Sequence, residues 1–260
     1  MFSLLIEWQE KLVTVALLYA RITPIFFILP VLNTSVLAST FVRNSVIFAI
    51  IIGLWPVLNT NLPQFQTDYV VILAMIAKEI VIGISLGGVL SLPFWIFNAL
   101  GAYIDVARGS SMGSLIDPTN GQESTEIQNF VNFCVCAIYL ESGGLQLVLN
   151  TLINSYQTVG LKQGIQINLD MVVIFLGQLF EHGFILAAPV LLTLLLSEAL
   201  LGLLARFTPQ LSAFSVSMTI KSVIAIFVLS LYFWHMLPDQ LPRFMVDYQS
   251  WHLIQAAGER

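Results

Sequence analysis

The chain has 260 residues, 57% of them hydrophobic and 10% charged, with a formal net charge of -5 and a mean hydropathy of +0.87. A water-soluble fold of this length needs more polar surface than these residues supply, so the composition points to a membrane protein, with runs able to cross a hydrocarbon layer of about 30 Å at about 1.5 Å per residue. The ten Lys and Arg residues are scattered singly, which excludes the basic footprint of a nucleic-acid-binding protein.

The N-terminus, MFSLLIEWQEKLVTV, carries Glu7 and Glu10 where a secretory signal is basic, and reads as part of the mature protein. The first apolar segment runs from about Leu12 to Leu32. Its Pro24 and Pro30 predict a kink or an early stop, because proline removes a donor and crowds the preceding turn. Asn33 to Asn44 is a polar connection carrying Arg43, and Ser45 to Leu58 is an apolar run short for a span, suited to burial in protein. After a connector with Pro63, Tyr69 to Leu100 is a long helical candidate interrupted by Pro93. Within it Gly83, Gly87 and Gly88 form a small-residue stripe that lets another backbone approach.

Gly101 to Gln122, GAYIDVARGSSMGSLIDPTNGQ, is polar and glycine-rich between apolar runs. Lipid does not satisfy bare peptide groups, so the segment is expected to be a solvent-facing loop or non-helical backbone sheltered by protein, and function is expected to concentrate there. Glu123 to Asn154 is the fourth apolar segment, interrupted near Glu141 to Gly144, where two helices in a hairpin could replace one span because Gly143 and Gly144 end a helix easily. Its Cys134 and Cys136 point to different sides of a helix, as small core residues do, with neither a disulfide framework nor a metal site. Ser155 to Asp170 is mixed and exposed by composition. Met171 to Arg206 and Leu211 to Leu237 are the last two long apolar segments, with Pro189 inside the first and Pro209 between them. Pro238 to Arg260 reads as a polar tail, interfacial or disordered, on a single membrane domain spanning 1–260. Basic residues fall on connections of both parities, so the positive-inside rule leaves orientation open.

Arg21, the pair Lys78 and Glu79, Glu181 and Glu198 lie inside apolar runs, where each costs about 2.5–3.5 kcal/mol on a lipid-exposed helix centre. They either snorkel near helix ends or turn toward protein, and several in one chain favour an extensive protein interface. Arg206, Thr208, Pro209, Gln210 and Lys221 make a late polar girdle, suited to docking partner subunits or to snorkelling toward headgroups.

GSSMG, Gly109 to Gly113, matches a nucleophile pattern centred on Ser111, but no strand precedes it, and His182 and His235 read as helix-end residues. There is no HExxH, phosphate-binding loop or dinucleotide glycine pattern, and Asp105 and Asp117 lack partners for hydrolysis or a metal. No enzyme and no cofactor are expected.

The run EIVIGISLGGVLSLPF, Glu79 to Phe94, followed by GAYIDVARGSSMGSLIDPTNGQES, Gly101 to Ser124, resembles the single-copy membrane subunit of the type III secretion export gate, a family shared by injectisomes and the flagellar export apparatus. Arg21 to Pro24, Pro30 and ARFTPQLSAFSVSMTIKS, Ala205 to Ser222, continue the likeness over nearly the whole chain. Of the family's central pattern this chain keeps Gly101, Ile104, Asp105, Arg108, Gly109, Asp117 and Pro118, and departs at Val106 and Ala107, near a position that is usually glutamine.

The resemblance implies an all-α membrane protein of kinked helices and helical hairpins, packed within a hetero-oligomeric export gate. Implied partners are two smaller gate subunits in about five and about four copies, an autocleaving switch protein, the large export-apparatus subunit and unfolded secreted proteins, with no nucleic acid. It implies an inner-membrane location, raised toward the periplasm in the assembled gate. On that reading Gly101, Asp105, Arg108, Gly109, Gly113, Asp117 and Pro118 are candidates for the gate constriction or its support. Arg21, Lys78, Glu79, Gly83, Gly87, Glu198, Arg206 and Lys221 are candidates for buried polar or interface positions. Pairing among Arg21, Glu79, Arg108 and Asp105 is favoured without assigning who pairs with whom. The rival class is a secondary transporter of a small solute, whose broken helices bind substrate, although the two halves match poorly here.

Overall fold

The structure, a computed structural model, describes residues 2–32, 39–58, 69–109, 126–159, 165–167, 169–207, 213–245 and 254–256. These residues are almost entirely helical. In chain order the helices are α1 (Phe2–Ile28), α2 (Thr40–Leu58), α3 (Tyr69–Arg108), α4 (Glu126–Glu141), α5 (Gly144–Thr158), α6 (Leu169–Phe207) and α7 (Ala213–Phe244). Strand β1 (Ile165–Ile167) pairs antiparallel with β2 (Ile254–Ala256), Gln166 opposite Gln255.

Among the described residues four helices are long and apolar enough to cross a membrane, over Lys11–Ile28, Val70–Arg108, Val172–Leu204 and Ser217–Phe244, and α4 with α5 makes up to a fifth. α2 is a shorter apolar helix, as its sequence anticipates. The break at Ser142 and Gly143 separates α4 from α5, and Gly143 takes φ 82, a left-handed conformation that glycine adopts without a Cβ penalty.

The expected stop at Pro30 occurs, while Pro24 and Pro93 do not end their helices. Pro24 lies inside α1, and the stop comes only at Leu29, before a 3-10 turn over Pro30–Leu32. Pro93, Pro189, Pro238 and Pro242 are likewise inside helices. A missing donor is tolerated where the flanking turns bury apolar surface. Leu237 and Leu241 are 2% and 0% exposed, and they carry α7 into the stretch read as a polar tail. Ser155 to Asp170 also departs from its reading: α5 continues to Thr158, with Ser155, Tyr156 and Val159 buried.

The largest correction concerns the polar central segment. Gly101 to Arg108 is the helical end of α3, and Gly109, at φ 87, is where the helix stops. Gly101, Ile104, Asp105 and Arg108 are the buried face of those two turns, at the i, i+3, i+4, i+7 spacing of an amphipathic helix. The rest of the segment, 110–122, lies outside the described residues.

The chain divides into two compact units. Unit 1 comprises Met1–Ser91, Gly143–Val173 and Val246–Arg260, with α1, α2, α5, the two-stranded ribbon and the first part of α3. Unit 2 comprises Leu92–Ser142 and Ile174–Met245, with the rest of α3, α4, most of α6 and all of α7. In unit 2 the buried positions of α6, among them Phe175, Leu179, Gly183, Leu186, Val190 and Leu194, fall every three to four residues, as a one-sided helix requires.

Candidate functional site

In unit 1 the close approach of α1 to α3 is set by glycine. A Cβ on Gly83 would collide with the backbone of Arg21, and one on Gly87 would lie 3.2 Å from the Cα of Ile25. At Gly83 and Gly87 the small-residue stripe is therefore filled by a helix of the same chain, while a Cβ on Gly88 would meet nothing within 4 Å. At this contact Arg21 is fully buried and donates three ways: Nε to Glu79 Oε2 at 2.5 Å, Nη1 to Ser155 Oγ at 3.2 Å and Nη2 to the carbonyl of Val159 at 3.1 Å. The Ser155 hydroxyl in turn donates a hydrogen bond to the carbonyl of Leu152, and the Tyr156 ring centre lies 4.0 Å from the guanidinium carbon. Lys78 Nζ lies 3.1 Å from the second oxygen of Glu79. One planar cation thus ties α1, α3 and α5 together, and its charge is balanced where water is excluded.

In unit 2 residues of the central segment form a clasp between α3 and α4. Arg108 Nε and Nη2 both lie 2.8 Å from Asp105 Oδ1. The other oxygen, Oδ2, accepts the backbone N–H of Gln128 at 3.0 Å. That amide belongs to the first turn of α4, where backbone donors lack helical partners and a carboxylate is electrostatically favoured. Asp105 therefore caps α4 from another helix. Arg108 Nη2 also reaches Glu126 Oε2 at 3.6 Å, and the close passage is permitted by Gly101, where a Cβ would stand 2.5 Å from the Cα of Gln128. The residues flanking 110–125 are in this way pinned to each other. Gly109, beyond the clasp, faces the side chain of Met218.

The remaining candidates are dispersed. Lys221 is buried and pairs at 3.0 Å with Glu198, whose side chain is 63% exposed, while Arg206 and Glu181 are exposed. Gly113, Asp117 and Pro118, with Ser111, Thr208, Pro209 and Gln210, lie outside the described residues. Sequence reasoning missed Ser155, Tyr156 and Gln128, which enter only through tertiary contact. It also placed Arg43 on a connection, whereas Arg43 is buried in the first turn of α2 with its guanidinium 3.9 Å from the Phe27 ring. Among the described residues no group of three His, Cys, Asp or Glu side chains is arranged to hold a metal. Both polar clusters are built from opposed charges and backbone groups that satisfy one another, an arrangement that positions helices.

Residues 12–245 match the family described as Bacterial export proteins, family 1. The chain is 40% identical over 242 residues to the surface presentation of antigens protein SpaR of Salmonella typhimurium, covering 93% of this chain and 91% of that one. It is 30% identical over 228 residues to the Yop proteins translocation protein T of Yersinia pestis, covering 86% and 87%. With the flagellar biosynthetic protein FliR of Pectobacterium carotovorum it shares 26% over 216 residues, covering 82% and 81%. These likenesses, with the four long apolar helices, place the chain in the inner membrane as a structural, non-catalytic component, and nothing in them favours a solute transporter. The chain belongs to the bacterial export proteins of family 1, the export-gate subunit shared by type III secretion systems and the flagellar export apparatus.

Proposed function

We propose that this subunit helps to form and close the passage through which unfolded proteins cross the inner membrane, and that the α3–α4 clasp supports the closing segment. The observation that carries the reading is the Asp105, Arg108 and Gln128 arrangement, which fixes the flanks of 110–125 to each other beside a glycine at positive φ. Pinning these flanks fixes the two points between which the segment runs. Gly113, Asp117 and Pro118 fall within that segment and are assigned here to the constriction or its support.

The partners proposed are two smaller gate subunits in several copies each, the autocleaving switch protein and the large export-apparatus subunit, with the assembled gate raised toward the periplasm. The greater identity to the SpaR and Yop translocation relatives than to FliR, 40% and 30% against 26%, supports an injectisome over a flagellum.

The test is Gly109→Val, which forces a β-branched residue into a left-handed conformation at a cost of about 1–3 kcal/mol. Secretion is expected to fall while the co-expressed complex keeps its intact mass in mild detergent. Unchanged secretion from a normally assembled complex sinks the assignment of this segment.

A further inference from the structure

Arg43 is a buried cation that neither the clasp nor the Arg21 network balances. Between Glu10 and Asp68 the sequence has no Asp or Glu, and its basic residues there are Lys11, Arg21 and Arg43. Arg21 finds its anion on α3, in Glu79. Among the described residues no carboxylate pairs with Arg43, which is 5% exposed and whose Nε has no hydrogen-bond partner. A buried charge in this state is costly until an anion meets it.

The surroundings of Arg43 say where that anion sits. Side chains on a helix lean toward its N-terminus, which brings the guanidinium level with the first turn of α2, where backbone donors point outward and negative charge is favoured. Ser39 Oγ accepts one of those donors, the N–H of Val42, at 3.3 Å. The amides of Thr40 and Phe41 have no acceptor within the helix. The Phe27 ring centre lies 3.9 Å from the guanidinium carbon and covers one face of the plane, which leaves the N–H groups, directed along the plane, for an oxyanion. Phe27 is 55% exposed, so the stacked pair stands at the surface of unit 1.

We infer that Arg43 and the N-terminus of α2 bind the phosphate of an anionic lipid headgroup. Phe27 is in the last turn of α1, whose membrane-spanning stretch ends at Ile28, so the site stands where hydrocarbon gives way to headgroups. At that depth the abundant anion is lipid phosphate, and a guanidinium beside helix-terminal amides offers donors to two of its oxygens. Charge selects the class of lipid. Arg43 brings one positive charge without a counter-charge, which a headgroup of net negative charge neutralises and a zwitterionic one does not. The inference needs the chain in a bilayer and is independent of the gate reading.

The test uses the full-length chain, co-expressed with its two gate partners and reconstituted in vesicles of equal parts phosphatidylglycerol and phosphatidylcholine, with a photo-crosslinking residue at the exposed Thr40. Wild type is expected to yield phosphatidylglycerol adducts over phosphatidylcholine adducts by about fivefold, the selectivity of one basic group at a membrane surface. Arg43→Gln is expected to bring the two to parity, and Arg43→Lys, which keeps the charge without the fork, to fall between. Parity in the wild type overturns the inference. An adduct with a protein in place of lipid also overturns it and assigns Arg43 to a partner's carboxylate, and selectivity abolished by inorganic phosphate in the buffer shows that the site takes a free anion instead. If Arg43→Gln does not fold, the wild-type ratio against that of Arg43→Lys decides. A wild-type chain that recovers no partner counts against the gate reading alone, because the ratio is read on adducts of this chain.

Discussion

Arg21 satisfies a carboxylate, a hydroxyl and a carbonyl with one rigid planar group, the carboxylate from α3 and the other two acceptors from the end of α5. A lysine has neither the fork nor the reach to replace it, so Arg21→Lys is expected to lower the thermal midpoint of the purified complex in detergent. Glu79→Ala is more damaging, because it leaves a buried guanidinium without its main anion, at a cost of about 3–5 kcal/mol. Pairing Arg21→Met with Glu79→Leu removes both charges at similar volume and is expected to recover most of the lost midpoint. If the single and double variants melt alike, the network is not what holds α1 against α3. Gly83→Val tests the same contact sterically: its side chain meets the Arg21 backbone, which yields less readily than a side chain tip.

At the scale of elements, the clasp makes the start of α4 depend on the end of α3. Asp105→Ala removes a charge-assisted bond to the Gln128 amide, worth about 1.5–3 kcal/mol, and frees Arg108 from its main partner. Hydrogen exchange of the amides from Ile127 to Phe130 is expected to accelerate, while those at the far end of α4, near Tyr139, keep their protection. Uniform exchange along α4 in the variant would show that Asp105 is not its cap. The long helices were legible from hydropathy, and the division of α4 from α5 from the two adjacent glycines, because these signals are local. The last turns of α3 were misread for an instructive reason. Polarity near apolar runs suggested a loop, yet Gly101, Ile104, Asp105 and Arg108 already fell on one helical face, and what makes that face buriable is Gln128, far along the chain. The stop ahead of Pro30 was legible, whereas Pro24 and Pro93 lie inside α1 and α3, and α7 runs on through Pro238 and Pro242 because burial of residues such as Leu241 outweighs a lost backbone bond. The partners of Arg21 were illegible because Ser155 and Val159 reach it across 134 and 138 residues of sequence.

For the whole molecule the surface carries two messages. Much of it is apolar, with Phe133, Phe207 and Trp234 each more than 70% exposed, as lipid or partner helices require. Set into it are groups that lipid does not satisfy, the exposed carboxylates of Glu181 and Glu198 above all. A solute transporter that works alone encloses its polar groups around a substrate path, whereas a subunit of a larger assembly presents some of them outward for neighbours to complete. The chain should therefore be short-lived by itself. Anything that binds only the folded form stabilises it by mass action, so co-expression with the two smaller gate subunits is expected to lengthen its lifetime in the membrane several-fold, as measured by pulse-chase after synthesis is stopped. A wild-type chain equally long-lived with and without partners would mean that its outward polar groups face water, and the surface would then describe a self-sufficient membrane protein.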